Sequence, residues 1–214
     1  MQINKRGMGM TLLIFLILLG LAIPSFIWTR QNVKDLARWH NSRLSPVIMI
    51  PGSSATENRF DALIKKINSR SQKKHSLLKV KVYNDGTIKY SGKINAKDNE
   101  PFIVVGFENN KDGYSNILKQ AKMFDKAFEQ LSEQYEFNNF KAFGHSNGGL
   151  IYTAFLENYL PNYDIQAKVL MTVGTPYNFS ETSLQRKTQM LADFIKNRKK
   201  LPSDLLVYVV AGTE

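Results

Sequence analysis

The chain has 214 residues, 43% of them hydrophobic, enough for one domain with a real core once an apolar N-terminal stretch is set aside. It holds no cysteine, which excludes disulfides, thiolate catalysis and Cys-ligated metals and says little about compartment. The formal net charge of +11 raises nucleic acid as a partner, but the basic residues gather without a recognisable nucleic-acid module. One cluster holds Lys65, Lys66, Arg70, Lys73, Lys74, Lys79 and Lys81; the other holds Arg186, Lys187, Lys196, Arg198, Lys199 and Lys200. Both are expected on exposed helix faces and connections, as a solvated basic surface facing anionic lipid or wall polymer, with no nucleic acid bound.

Residues 1–9 carry Lys5 and Arg6 and no acid. Residues 10–28 form an apolar run. Its length, about 19 residues, crosses a hydrocarbon core of roughly 30 Å. The run is long for a signal peptide, and Ala22-Ile23-Pro24-Ser25 sets small residues at the wrong spacing for cleavage. An uncleaved transmembrane anchor is therefore expected. The run is apolar all round, unlike an amphipathic core helix, and Trp28 stands where an interfacial aromatic would. Lys5 and Arg6 argue for a cytoplasmic N-terminus and an extracytoplasmic domain, a single-pass protein of the cell membrane. Against that, Arg30, Lys34, Arg38 and Arg43 follow the span and only Asp35 offsets them. Residues 29–45 are polar and read as a linker or a juxtamembrane helix.

From Pro46 the pattern changes. Residues 46–50 (Pro-Val-Ile-Met-Ile) read as a short buried strand, followed by Pro51-Gly52-Ser53-Ser54-Ala55-Thr56. Residues 57–70 then place Phe60, Leu63, Ile64 and Ile67 at helical spacing, with Thr56 or Ser54 as N-cap. A strand, a Gly/Ser turn and a helix start gather free backbone N–H groups at one point, suited to an anion or an oxyanion. Residues 77–94 alternate as a hairpin. A three-residue loop, Asn84-Asp85-Gly86, pairs Val82 with Ile88 and Val80 with Tyr90 and sets Gly86 at the left-handed bulge position. That hairpin makes an antiparallel edge on an otherwise parallel sheet. Residues 101–107 are another buried strand. Tyr114, Ile117, Leu118, Ala121, Phe124, Ala127, Phe128, Leu131 and Tyr135 trace one face of a long helix.

Residues 139–150 organise the chain. Gly144-His145-Ser146-Asn147-Gly148 fits G-x-S-x-G, preceded by an apolar strand (140–143) and followed by a helical stretch (150–160). Flanking glycines have a steric purpose there, since side chains beside a sharp elbow collide with the neighbouring strand and helix. Residues 168–173 read as the next strand, 184–199 as a basic amphipathic helix, and 205–210 as a last strand. Strands alternating with helices imply a mostly parallel sheet covered on both faces. A serine hydroxyl needs a base, an acid to orient it, and oxyanion donors. Ser146 is the candidate nucleophile. The backbone N–H groups of Asn147 and Ser53 are the candidate donors, with the dipole of the following helix beside them. No His or carboxylate cluster has metal-ligand spacing, and no metal or cofactor is expected.

These motifs resemble the α/β-hydrolases: the strand-Pro-Gly-Ser loop, the Gly-His-Ser-Asn-Gly-Gly elbow, and Gly174-Thr175-Pro176-Tyr177-Asn178 after the next strand. More narrowly, the chain is similar to membrane-anchored cell-surface α/β-hydrolases of Gram-positive bacteria, a family with no settled substrate. The resemblance covers about residues 46–214 and implies an α/β-hydrolase domain acting on a small-molecule or lipid-like ester, as an esterase or lipase-like acyl hydrolase. Two departures stand out. The oxyanion loop often begins His-Gly in this superfamily and here reads Pro51-Gly52, a change that keeps a backbone donor. The superfamily order is Ser, then Asp or Glu, then His, yet His40, His75 and His145 all precede Ser146. His145 adjoins the serine and is expected to point away from it. His40 and His75 read as ordinary surface histidines. Of the later acids, Glu157, Asp164, Glu181, Asp193, Asp204 and Glu214, only Glu181 is expected near the right edge of the sheet. The acid and base are therefore expected beyond residue 214, in a chain that lacks its C-terminal end and leaves its last strand as an uncovered edge. The alternatives are a catalytically inactive binding module on the same fold, or a non-functional fragment.

Overall fold

The computed structural model describes residues 5–183 and 185–212. Leu184, expected to open the basic helix, and Thr213-Glu214 lie outside the described residues, as do the side chains of Lys5, Arg6, Asp35 and Arg38. Part of the expected membrane orientation rests on those charges. The chain divides into two compact units, Met1–Ser42 and Arg43–Glu214.

In the first unit, helix α1 runs over Lys5–His40. Its segment Leu13–Lys34 is long and apolar enough to cross a membrane, with mean hydropathy 2.0. Pro24 lies inside the helix, and the Ser25 hydroxyl donates to the Leu21 carbonyl at 2.8 Å. The helix does not stop at Trp28. Of the two forms considered for 29–45, the helical one holds as far as His40, because Gln31–Trp39 contains neither glycine nor proline to end it.

The second unit is built on a seven-stranded sheet in the order β3-β2-β4-β1-β5-β6-β7. The strands are β1 (Val47–Ile50), β2 (Leu77–Val82), β3 (Ile88–Gly92), β4 (Phe102–Phe107), β5 (Asn139–His145), β6 (Gln166–Val173) and β7 (Leu206–Val210). Every pairing is parallel except β2 with β3. The hairpin register is the one expected: Val82 faces Ile88 and Val80 faces Tyr90. Gly86 takes φ +88°, and the Tyr83 N–H donates to Thr87 O at 2.9 Å, closing the three-residue loop.

Alternation along β1 explains the two layers of core. Ile48 and Ile50 point to one face, where α3 (Tyr114–Tyr135), α4 (Asn147–Asn158) and α5 (Gln189–Asn197) add Phe124, Phe128, Tyr152, Phe155 and Phe194. Met49 points to the other face, where Phe60 and α2 (Asp61–Arg70) cover it with Ile64, beside Phe102 and Val104. Aromatic edges interlock on the thicker side: ring centroids of Phe124 and Phe155 are 4.7 Å apart, and Phe128 lies 4.9 Å from Phe155 and 5.0 Å from Phe140. The Tyr152 hydroxyl donates to Ile48 O at 2.7 Å, tying α4 to the central strand.

Several local expectations are corrected. Helix α2 begins at Asp61, and neither Thr56 nor Ser54 caps it. Ser54 sits at φ 56° and Thr56 Oγ1 accepts from Asn58 N at 3.3 Å, so both serve the preceding loop. Leu118 is exposed, and the buried stripe of α3 instead takes in Gln120, whose amide holds the carbonyls of Asn109 and Lys111. The basic helix shortens to α5, capped by Thr188 Oγ1, which accepts from Leu191 N. Strand β7 occupies one edge of the sheet, and each of its five residues is exposed.

Two consequences follow for stability. Phe128 is fully buried and its ring meets those of Phe124, Phe137, Phe140, Phe155 and Tyr163. Phe128→Ala should lower the unfolding free energy by about 3–5 kcal/mol in urea titration. Glu157, near the end of α4, is buried and its Oε2 has no hydrogen-bond partner among the described residues. Burial raises its pKa from 4.5 to about 7, with Lys200 opposing and Asp193 adding to the shift. The folded chain thus holds this proton more tightly than the unfolded chain. That contribution is full below about pH 4.5 and is lost as pH rises through about 7. Melting temperatures from pH 4.5 to 8 should fall less steeply in Glu157→Gln than in the wild type, the gap widening towards pH 8.

Candidate active site

The C-terminal ends of β1 and β5 lie side by side, with Ile50 opposite Gly144. Strand β5 ends at His145 and α4 starts at Asn147, so one residue, Ser146, makes the whole turn. It does so at φ 53°, ψ −124°, a conformation that costs a non-glycine residue on the order of 1–3 kcal/mol and persists only where the surroundings impose it. Here they do. Ser146 N–H donates to Val173 O of β6 at 2.8 Å, and Ser146 O accepts from Gly149 N at 3.0 Å.

The neighbouring glycines allow the close approach. A Cβ on Gly144 would meet Gly149 N at 2.5 Å, and one on Gly148 would overlap Ile50 O of β1. A Cβ on Gly149 would strike Thr175. The expected steric purpose of Gly144 and Gly148 is thus met by α4 itself for the first and by β1 for the second. Gly52, in the loop after β1, has the same constraint: its Cβ would lie 2.8 Å from Ser146 Cβ and 3.2 Å from Ser146 Oγ.

The Gly52 loop leaves backbone donors free. Ser54 N–H donates to Asn110 O at 2.9 Å, whereas Ser53 N–H has no protein acceptor among the described residues. Asn147 is the first residue of α4, where a backbone N–H has no intrahelical acceptor. Sequence reasoning missed the residues that hold this arrangement. Asn110 accepts from Ser54 through its carbonyl and donates its Nδ2 to Ala55 O at 3.1 Å. Asp112 Oδ1 accepts from Asn147 Nδ2 at 2.7 Å. Buried Gln120 braces both through the carbonyls of Asn109 and Lys111. A buried glutamine on an apolar helix stripe was the one signal available.

Gly52, Ser53, Thr56, Arg59, His145 and Ser146 line a cavity of about 540 Å³, together with Ser54, Ala55 and Asn58. His145 and Ser146 both line this cavity. The His145 Nδ1 and Ser146 Oγ lie 3.3 and 3.2 Å from the position a Cβ on Gly52 would take. No hydrogen bond joins them, and His145 Nδ1 is buried without a partner. Burial lowers the His145 pKa, with Arg59 adding to the shift, so the imidazole is held neutral.

The remaining histidines and acids go elsewhere. His75 stands before β2, at the opposite end of the sheet from the elbow, 3.0 Å from Asp98. His40 ends α1, its ring against Trp39. Glu181, expected near the site, accepts from Ser183 N and pairs with Arg186 at 3.4 Å; it does not line the cavity. Asp193 accepts from the Tyr114 hydroxyl at 2.9 Å, and Asp204 from Gln166 Nε2 at 2.5 Å. Among the described residues no three or more His, Cys, Asp and Glu side chains group as a metal site.

The fold finds counterparts among known proteins. A protein from Lactobacillus plantarum WCFS1 named as a cell surface hydrolase is 54% identical, with a TM-score of 0.77 over 80% of this chain and 69% of its own. A Listeria innocua gene product is 28% identical, with a TM-score of 0.68 over 77% of this chain and 68% of its own. No curated protein matches the chain. The family model described as alpha/beta hydrolase of unknown function (DUF915) matches residues 36–214. With five-sixths of its length matched and its elbow built on parallel strands, the chain belongs to this family of α/β-hydrolases.

Proposed function

We propose that the protein is a membrane-anchored, extracytoplasmic serine hydrolase of small-molecule esters, with Ser146 as the nucleophile. The observation that carries this reading is the enforced left-handed turn at Ser146, which presents its hydroxyl at the C-terminal edge of the sheet beside the Gly52 loop. In this reading Ser146 Oγ attacks the ester carbonyl carbon and yields its proton to a base. The resulting oxyanion is held by the N–H groups of Ser53 and Asn147 at the start of α4, where the helix dipole adds to them. Asp112 is a positioning residue, steadying Asn147 through its side-chain amide. Helix α1 supplies the anchor, in keeping with the surface location named for the L. plantarum protein.

The neutral His145 makes no hydrogen bond to Ser146, and no carboxylate lines the cavity. That observation favours a second reading, a ligand-binding module on a hydrolase fold. A fluorophosphonate probe separates the two. Under the first reading it forms a phosphonyl ester on Ser146 Oγ with loss of fluoride, and Ser146→Ala abolishes the labelling. A folded chain that is never labelled favours the binding module. Gly52→Ala should reduce labelling at least tenfold, on the order of 1.4 kcal/mol, because its methyl group must displace Ser146. For the anchor, mass spectrometry of the protein from washed membranes should recover the peptide spanning Trp28. A mature chain beginning after the apolar run, found in the medium, would make the run a cleaved signal.

A further inference from the structure

The cavity beside Ser146 has an unusual balance of groups for an esterase of fatty chains. None of its lining residues is Leu, Ile, Val, Phe or Met, although ligand pockets are ordinarily lined by apolar and aromatic side chains. Ser53, Ser54, Thr56 and Asn58 make the wall polar, and Arg59 is its one formally charged member. The Arg59 guanidinium makes no ion pair or side-chain hydrogen bond among the described residues, although its own backbone N–H donates to Thr56 O. Neither neighbouring acid pairs with it, and Glu57 Oε2 is itself buried without a hydrogen-bond partner among the described residues. Asp61 is held by Lys79 Nζ at 2.7 Å, which also takes Asn58 Oδ1 at 2.7 Å. Glu57 turns its carboxylate to the backbone of Gly106 in β4. His145 also lines this cavity, while its Nδ1 is buried against Gly52 without a partner among the described residues.

We propose that this cavity selects esters carrying an anionic group, a carboxylate or a phosphate, close to the scissile bond, with Arg59 pairing the charge. Arg59 presents a planar fork of donors that matches either anion through two parallel hydrogen bonds. The cavity's polar wall excludes a long acyl chain and admits a hydrated acidic one. This specificity rests on the reading of Ser146 as nucleophile. It replaces the lipid-like ester with a small, acidic one.

The test uses two p-nitrophenyl phosphonates that differ only at the chain end, carboxylate in one and carboxamide in the other. The full chain should label on Ser146 about tenfold faster with the carboxylate, the scale of one charged hydrogen bond. Raising the salt concentration should shrink the ratio. In Arg59→Ala the ratio should fall to about one, and in Arg59→Lys it should be intermediate. Equal rates in the wild type, or a preference that survives in Arg59→Ala, would overturn the proposal. If neither probe labels Ser146, the nucleophile reading fails separately, and calorimetric titration with monomethyl succinate and with inorganic phosphate decides the anion site. Binding of either anion to Ser146→Ala that disappears when Arg59→Ala is added supports the site and shows which anion it prefers. No binding of either sinks it.

Discussion

The structure depends on one steric constraint: the start of α4 must lie against the end of β1 with no side chain between them. Gly148 makes this possible, since any larger residue would occupy the place of Ile50 O. The contact sets how far α4 tilts over the sheet, and Tyr152 locks it one turn later by donating to Ile48 O. Ser146 pays for that approach with a left-handed backbone, held by bonds to Val173 O and from Gly149 N. A close-packed interior offers no slack to relieve the strain. The hydroxyl is therefore exposed at the sheet edge by packing rather than by its own conformational preference.

The loop facing the elbow has no such internal rigidity and takes its shape from outside. Residues 52–56 contain two serines, a threonine and no side chain in the core, and Ser54 itself adopts φ 56°. Their positions come from Asn110, which grips the loop at Ser54 and Ala55. The 109–112 segment is held in turn by Gln120 from within α3. A buried amide that satisfies two carbonyls rigidifies a polar connection at modest energetic cost. The site is thus assembled from three parts of the chain: a strained elbow, a loop backed onto it at Gly52, and a brace from α3.

Charge is distributed in keeping with this arrangement. Most of the described basic residues sit on exposed surface, and two of them are paired: Lys79 with Asp61 and Lys141 with Glu100. Arg59 is not compensated, and its field acts on His145, whose burial already disfavours a proton. His145 and the unpaired Arg59 guanidinium belong to the lining of one polar cavity. An acidic ligand pairs with Arg59, which links the electrostatics of the site to the proposed substrate class.

Much of the architecture was legible in the sequence, because it depends on short-range pattern. Alternation at Val80–Val82 and Ile88–Tyr90 sets the hairpin register, and Gly86 sets its loop. The runs at 46–50, 101–107 and 168–173 declare strands, and Gly144-x-Ser146-x-Gly148 declares the elbow between β5 and α4. The apolar length of α1 is likewise a property of composition alone. Capping, exposure and convergence were not legible. Thr56 looks like an N-cap until the loop claims it, and Leu118 falls on the buried stripe by period yet stands in solvent. Arg59 and the 110–120 segment come to the elbow from parts of the chain far from it in sequence. Sequence alone determined the strands, the turn glycines and the position of the serine, since local sterics and periodicity specify them. Which polar groups face that serine was decided only by the tertiary structure, because their directions follow from how β1, β5 and α3 pack together.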